Sequence, residues 1–290
     1  VYVIAKSQIV EETSRLLFTY LFLETPLSSS LPFLVTIAYL SMSFGELMSI
    51  IYLLLLSRKR YSFTPLKNIN KQNLIMKDLL NISLPLTGSR LYHCFMNFLE
   101  PILLIHVLTR LGLTQNFIQD QYAILSGYVV SMLVTPTFFC TIIYRLYLPI
   151  ATDDLYYHKS TTFLHLLYAL LICFLIGLPF TLIFYFFPKR SLMILYNTTN
   201  GYQQLKYMSF PFLLSYLQTP LSTILQAKNK NKVMFIISMI ECTLEIILTY
   251  TLSHYLYVNA ILISLFTGLI TTLTLSAIYC FKIIKDTSLS

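Results

Sequence analysis

Six polar or charged side chains recur in one apolar stretch, residues 79–109, at spacings that place them on one face of a helix. They fall within a sector of about 140° over roughly five helical turns. The six are Ser83, Thr87, Arg90, His93, Asn97 and Glu100. Because ionisable groups inside a membrane-crossing helix are costly, they usually face a partner or a water-filled cavity. This polar face of the third apolar stretch therefore predicts a cavity wall in which Arg90 meets an anionic ligand. The alternative is that Arg90 pairs with a glutamate between helices and only fixes their packing.

Three further carboxylates lie inside apolar stretches and are candidates for ion coupling: Glu46, Glu241 and Glu245. Glu46 shares a helix face with several hydroxyl-bearing side chains of residues 31–57. Glu241 and Glu245 follow Lys232 by only a few residues, so partial snorkelling towards the membrane surface is an equally good interpretation. The same interpretation applies to Arg145, which lies within about two turns of a predicted helix end.

Other chemistry is poorly supported by the residue spacing. Asp153-Asp154 is the one acidic pair predicted outside the apolar stretches, which would suit a metal-dependent glycosyltransferase or, more simply, a solvated loop. The five cysteines lie far apart in apolar stretches, and the five histidines have no metal-ligand spacing. There is no glycine-rich phosphate loop and no nucleophile elbow. The sequence therefore predicts no metal, no cofactor and no enzymatic activity.

The composition identifies the elements that must position these residues. Hydrophobic residues make up 56% of the 290-residue chain and charged residues only 11%, which excludes an ordinary soluble domain. A membrane-crossing helix needs about 20 mostly apolar residues. Eight stretches qualify: 8–24, 31–57, 79–109, 119–150, 161–188, 205–227, 233–254 and 258–282. We therefore predict an all-α polytopic membrane protein with about eight transmembrane helices.

The loop charges predict the orientation. With the N-terminus inside, thirteen of the 20 Lys and Arg residues fall in inside loops and four in outside loops. The net charge of +8 is then explained by loops that face anionic lipid rather than by a nucleic-acid partner. The longest polar connection is Arg58–Lys77, and its basic composition predicts a cytoplasmic linker between two helix bundles.

Several segments resemble the stage V sporulation protein B branch of the polysaccharide transporters, in the multidrug/oligosaccharidyl-lipid/polysaccharide flippase superfamily. The first is SLPLTGSR at 83–90, which continues to Glu100-Pro101. The others are QYAILSG at 121–127, FLLSYLQTPL at 212–221 and the short Gly45-Glu46-Leu47. Their order and spacing extend over most of the chain.

The resemblance implies a two-lobed flippase fold, of which this chain would hold part. Residues 1–57 would be the last two helices of the N-terminal lobe, 58–78 the basic linker, and 79–290 the six-helix C-terminal lobe. The other helices would belong to a longer chain. The implied activity is transfer of lipid-linked oligosaccharide or peptidoglycan precursors across the bacterial cytoplasmic membrane by alternating access, for cell-wall or spore-cortex synthesis.

In this interpretation Arg90 would contact the pyrophosphate of the substrate. The sugar hydroxyls would be contacted by Thr87, His93 and Asn97. The partners would be the lipid-linked sugar, membrane lipids and the missing helices. Three alternatives stay open: a cation-coupled multidrug antiporter, a membrane glycosyltransferase that uses Asp153-Asp154, and an inactive truncated remnant.

Overall fold

The computed structural model describes residues 2–23, 31–60, 69–157 and 161–289, and nearly all of them lie in helices. No residue in these ranges forms a β-strand. The helices are α1 (Tyr2–Leu23), α2 (Leu31–Arg60), α3 (Ile69–Arg110), α4 (Gln115–Ala123), α5 (Ser131–Val134), α6 (Thr137–Tyr156), α7 (Thr162–Phe186), α8 (Pro188–Tyr196), α9 (Tyr202–Ala227), α10 (Asn231–Leu256) and α11 (Ala260–Leu289).

Each of the eight predicted stretches contains a helix. Among the described residues, four stretches are long and apolar enough to cross a membrane, and a bent helix pair would make a fifth. The four are Pro32–Leu56, Leu79–Arg110, Thr162–Phe186 and Asn231–Asp286, and the last of these contains both α10 and α11. α1 and α9 lie where crossings were predicted but are less apolar than the four, so the count of eight crossings stays a prediction. The all-α polytopic membrane architecture is confirmed.

Large apolar side chains cover the outer surface of these helices. On α3, Leu84, Leu91 and Phe98 are exposed, and similar residues are exposed on α7 and α10. So much contiguous apolar surface would be unstable in water but is well matched to lipid acyl chains. The helices satisfy their own backbone hydrogen bonds, which is what a lipid environment demands.

The stretch predicted as one crossing at 119–150 is broken in the structure. α4 passes into a π-helical segment, Ile124–Val130, and then into α5, and the chain bends by 41° before α6. Pro136 lies between α5 and α6. Because proline has no backbone N–H and its ring crowds the preceding turn, the helix cannot run through this point undisturbed.

α2 and α3 both extend into the predicted linker at 58–78. α2 ends at Arg60 and α3 begins at Ile69, so helix occupies both ends of that range. Residues 61–68 of the linker lie outside the described residues. α3 is one continuous helix through Pro85 and Pro101.

The described chain divides into two compact units, Val1–Leu74 and Ile75–Ser290. In the first unit α1 packs on α2. A Cβ atom added to Gly45 would lie 2.9 Å from the Glu11 carbonyl oxygen, so only glycine allows this close approach.

Arg15 forms ion pairs of 3.0 Å with Glu11 and 3.2 Å with Glu12. These charges of the first apolar stretch therefore compensate one another along a single helix.

The second unit has two apolar cores. One is built around Leu108, Val129 and Leu192, and the other around Leu166 and Ile224.

Tyr216 of α9 ties the broken helix to its neighbours in the first core. Its ring occupies the space beside Gly177 of α7 that any larger residue would fill. Its hydroxyl donates a 2.7 Å hydrogen bond to the Leu133 carbonyl in α5.

Candidate functional site

Five of the six residues of the predicted polar face are exposed along α3. The five that lie on the surface of the second unit are Ser83, Thr87, Arg90, His93 and Asn97. The side chains of Asn97 and His93 are linked by a hydrogen bond of 3.0 Å between Nδ2 and Nδ1. Because the surrounding α3 surface is apolar, these groups form a continuous polar strip on an otherwise lipophilic helix. Such a strip can bind a ligand rich in hydroxyl and charged groups.

Arg90 lies near the middle of this strip and is not neutralised by a carboxylate. Within the described residues, no Asp or Glu lies within ion-pair distance of its guanidinium group. Tyr144 on α6 lies close enough to Arg90 for a charge interaction, and it is also close to Arg145 on its own helix. The alternative in which Arg90 pairs with a glutamate is therefore not seen in this part of the chain. The guanidinium group is available to an anion.

Tyr144 connects this region to α9. Its hydroxyl donates a hydrogen bond to Oε1 of Gln226. The sequence pattern does not predict this contact, because Tyr and Gln at these positions have no distinctive spacing. Tyr144 nevertheless holds α6 against α9 beside the two arginines.

Glu100 lies apart from the exposed strip, in a partly buried acidic cluster with Glu241 and Glu245. Glu245 is close enough to both other carboxylates for their charges to interact. The three come from two helices, α3 and α10, and each is only partly accessible to solvent. The structure thus brings together one residue predicted to bind substrate and two predicted to couple ions.

Hydroxyl groups from two other helices meet this acidic cluster. Tyr122 of α4 donates a 3.4 Å hydrogen bond to Oε2 of Glu100, and Thr272 of α11 donates one of 3.4 Å to Oε1 of Glu241. The Glu245 side chain lies against Gly268 of α11, in space that a Cβ atom would occupy. Across the part of the chain that the structure describes, no group of three or more His, Cys, Asp or Glu side chains is arranged to hold a metal ion.

The α11 contribution was missed from the sequence, although a signal for it exists. Four buried residues recur at every fourth position of α11: Ser264, Gly268, Thr272 and Ser276. Four-residue spacing keeps these small residues on one helix face. Small and hydroxyl-bearing residues on one face allow close helix packing in membranes. On α10, Thr249 hydrogen-bonds to Ser264 at 2.7 Å and also lies against Glu100.

Glu46 belongs to the first unit. It is exposed on α2, one residue after the Gly45 that seats against α1. Of its predicted companions on the same face, Tyr39 is also exposed, whereas Ser49 is buried.

The Asp153-Asp154 pair is not a solvated loop. Asp153 is exposed, but Asp154 is 1% exposed and its Oδ2 lies 2.5 Å from Nδ1 of His165 on α7. Both aspartates lie in the last turn of α6, so helix extends further than the sequence indicated. The pairing gives Asp154 a structural role between α6 and α7.

Comparison with known proteins relates the chain to one family and to one fold. The model of the family described as "Polysaccharide biosynthesis protein" matches residues 2–150. Stage V sporulation protein B of Bacillus subtilis (strain 168) is 26% identical over 231 residues, which are 78% of this chain and 45% of that protein. The chain thus spans less than half the length of this curated relative.

Two solved structures share the fold. A crystal structure of a MATE mutant matches with a TM-score of 0.73 at 15% identity, covering 98% of this chain and 62% of that chain. An outward-facing multidrug resistance MATE family transporter of the MOP superfamily matches with a TM-score of 0.70 at 15% identity, covering 97% and 62%. At a sequence identity of 15%, the similarity to these two transporters shows the fold alone. Since the family match extends over more than half of the chain, the protein belongs to the polysaccharide biosynthesis protein family.

Proposed function

We propose that the protein is a flippase, or part of one, that moves lipid-linked oligosaccharide or peptidoglycan precursors across the bacterial cytoplasmic membrane. The observation that supports this most directly is the position of Arg90. It is a cation without a carboxylate partner among the described residues, on a polar strip within an apolar helix. An unpaired cation inside an apolar helix costs free energy, and this cost is expected where a membrane protein binds an anion.

The proposed substrate class matches the chemistry of the strip. A lipid-linked sugar carries a phosphate or pyrophosphate, a hydroxyl-rich head and a lipid tail. Arg90 would bind the phosphate oxygens by charge-assisted hydrogen bonds, which are the strongest kind. Ser83, Thr87, His93 and Asn97 would bind hydroxyl groups, and Glu100 lies at the end of the same face. The tail would stay in the bilayer beside the exposed apolar residues of α3.

Transport would proceed without covalent chemistry, so we propose a transporter rather than an enzyme. Alternating access moves two helix bundles about a central site, which then opens to one side of the membrane at a time. We propose that residues 1–57 are the last two helices of one lobe, 58–78 the linker and 79–290 the second lobe. Helices from the remainder of a longer chain would complete the cavity.

The acidic cluster would supply the coupling site. Glu245 lies close enough to Glu241 and Glu100 for their negative charges to repel in a region shielded from water, and a bound cation or proton relieves that repulsion. Glu241 and Glu245 would therefore exchange an ion during the cycle, and Glu100 would join that site to the substrate strip. Glu46 is proposed as a separate coupling position on the other lobe.

The test compares three variants of the full-length protein at matched expression. Translocation of a lipid-linked precursor is measured in membrane vesicles for Arg90→Ala, Arg90→Lys and Arg110→Ala. We expect Arg90→Ala to reduce the rate about tenfold or more, since a hydrogen bond to a charged group contributes roughly 1.5–3 kcal/mol. Arg90→Lys should retain part of the rate because it keeps the charge.

Arg110→Ala is the matched control. Arg110 is an exposed arginine at the end of the same helix, outside the strip. Its removal should leave the rate unchanged. Full translocation by Arg90→Ala would contradict the anion-contact role.

A cation-coupled multidrug antiporter is the second candidate, and the acidic cluster favours it. Carboxylates in a membrane interior suit organic cations as well as inorganic ones. Uptake of a fluorescent organic cation against a proton or sodium gradient distinguishes the two. Uptake abolished by Glu245→Gln, together with no precursor translocation, would favour the antiporter.

A further inference from the structure

Three basic side chains converge where α7, α8 and α9 meet, at the end of the second unit that the loop charges predict to face outward. Lys189 and Arg190 are in the first turn of α8, and Lys206 is in the second turn of α9. Together with Tyr185, Phe187 and Tyr202 they line a cavity of about 340 Å³, here named the outer cationic cavity.

The sequence pattern does not account for these charges. The positive-inside bias depletes Lys and Arg from outer loops. Only four basic residues are predicted on the outer side, and three of them surround this single cavity. A clustered exception to the bias indicates that the charges serve a local purpose.

The charges are held in place but not neutralised. The Lys189 ammonium lies 4.5 Å from the centre of the Tyr202 ring, and that of Lys206 lies 5.2 Å from the Tyr185 ring. Cation–π contacts orient a cation without cancelling its charge. None of the three basic side chains forms an ion pair with a carboxylate in the described ranges. The cavity therefore presents three oriented cations to a single ligand.

Exposed apolar side chains of α7 and α8 lie next to the residues that line the cavity. α8 buries Ser191 and Leu192 against the protein but exposes Met193, Ile194 and Leu195. Such a short helix with one buried face and exposed apolar residues is typical of a segment lying in the membrane interface. Phe186, at the end of the apolar α7, is exposed as well. A ligand that fits both features has an anionic head and an acyl tail.

We propose that the outer cationic cavity binds the phosphate headgroup of an anionic phospholipid, whose acyl chains lie along the exposed apolar side chains of α7 and α8. Phosphate is a good match because it accepts several charge-assisted hydrogen bonds at once. The position at the end of a membrane-crossing helix places the three cations at headgroup depth. This inference does not depend on the transport activity proposed above.

The absence of tryptophan from the 290-residue chain allows a local test. Ile194→Trp places a single tryptophan beside the cavity, and Tyr255→Trp places one at the predicted outer end of α10. The two positions are matched, since each native side chain is 81% exposed. Quenching of tryptophan fluorescence is measured in vesicles that contain brominated phosphatidylglycerol or, at the same fraction, brominated phosphatidylcholine.

We expect position 194 to be quenched preferentially by phosphatidylglycerol, with a relative binding constant at least about fivefold above that of phosphatidylcholine. Position 255 should show no preference. The preference at 194 should disappear in the variant Lys189→Gln/Arg190→Gln/Lys206→Gln. It should persist in Lys228→Gln/Lys230→Gln/Lys232→Gln, which removes the same charge at the opposite end of the unit.

A salt titration of the Ile194→Trp protein keeps the test valid if the triple variant does not fold, because an electrostatic preference must fall as ionic strength rises. Equal quenching by the two lipids at position 194, or an equal preference at positions 194 and 255, would overturn the proposal. Displacement of phosphatidylglycerol by soluble inorganic phosphate would reassign the cavity to a free anion. Displacement by a small proportion of a polyprenyl diphosphate would reassign it to the lipid-linked substrate.

Discussion

Glu245 shows how one residue connects helix packing to ion chemistry. Its side chain occupies the gap that Gly268 leaves on α11, while its charge interacts with Glu241 and Glu100. A carboxylate is costly in this setting unless it is matched by a cation, a proton or hydrogen bonds. The absence of a side chain at Gly268 thus determines where that carboxylate can lie.

We predict that Gly268→Ala impairs ion coupling more than it impairs folding. The added methyl group would overlap Oε1, Cδ and Cγ of Glu245, so the carboxylate must leave its present position while the helix backbone can stay in place. Losing about 1–2 kcal/mol of interaction at the cation would lower coupled transport roughly five- to thirtyfold. The measurement is precursor translocation as a function of the imposed sodium or proton gradient.

Gly127→Ala provides the control, because nothing lies within 4 Å of a Cβ atom at that position. Glu245→Gln should reproduce the loss of gradient dependence. Gradient dependence that survives both Gly268→Ala and Glu245→Gln would show that the acidic cluster does not couple ions.

At the scale of elements, the break between α4 and α6 is the feature that hydropathy does not reveal. Pro136 was visible in the sequence, but so was Pro149, through which α6 continues, so a proline in an apolar stretch is equally compatible with a gently kinked helix. The π-helical segment Ile124–Val130 adds an irregularity with no compositional marker. What stabilises the break is a contact from a distant residue, the Tyr216 hydroxyl on the Leu133 carbonyl.

We predict that Tyr216→Phe destabilises the protein by about 1–3 kcal/mol. The substitution keeps the ring that fills the space beside Gly177 but leaves the Leu133 carbonyl without its buried donor. The free energy of unfolding is measured in mixed micelles. Tyr207→Phe on the same helix is the comparison, since Tyr207 is 72% exposed and its loss of a hydroxyl should change stability by less than about 0.5 kcal/mol. Equal effects of the two changes would argue against the role given to Tyr216.

At the scale of the whole molecule, the sequence was sufficient for the long apolar helices and insufficient for the broken helix, for α8 and for the acidic cluster. Apolar stretches of the right length predicted where helices lie, and periodicity predicted that Arg90, His93 and Asn97 share a face, because both are local properties. The meeting of Glu100 with Glu245, and of Tyr122 and Thr272 with them, depends on which helices become neighbours. Asp154 shows the same limit, since its partner His165 belongs to another helix.

The loop charges give a prediction for the topology. In a cysteine-free background, Asn200→Cys should react with a membrane-impermeant maleimide in intact cells, whereas Lys230→Cys should react only after permeabilisation. Both positions are exposed at helix connections, and the basic loop at Lys230 should face inward. If Lys230→Cys reacted in intact cells and Asn200→Cys only after permeabilisation, the orientation would be the reverse of the predicted one. The outer cationic cavity would then lie on the inner surface.

The ion pairs within α1 bear on how the protein is made. The helix contains two basic and two acidic residues, and Arg15 is matched by Glu11 and Glu12 on its own surface. A segment that compensates its charges internally can leave the translocon without waiting for a later helix to supply a counter-charge. We therefore expect α1 to enter the bilayer before α2 is complete, and Gly45 then to provide the flat surface on which the two helices join.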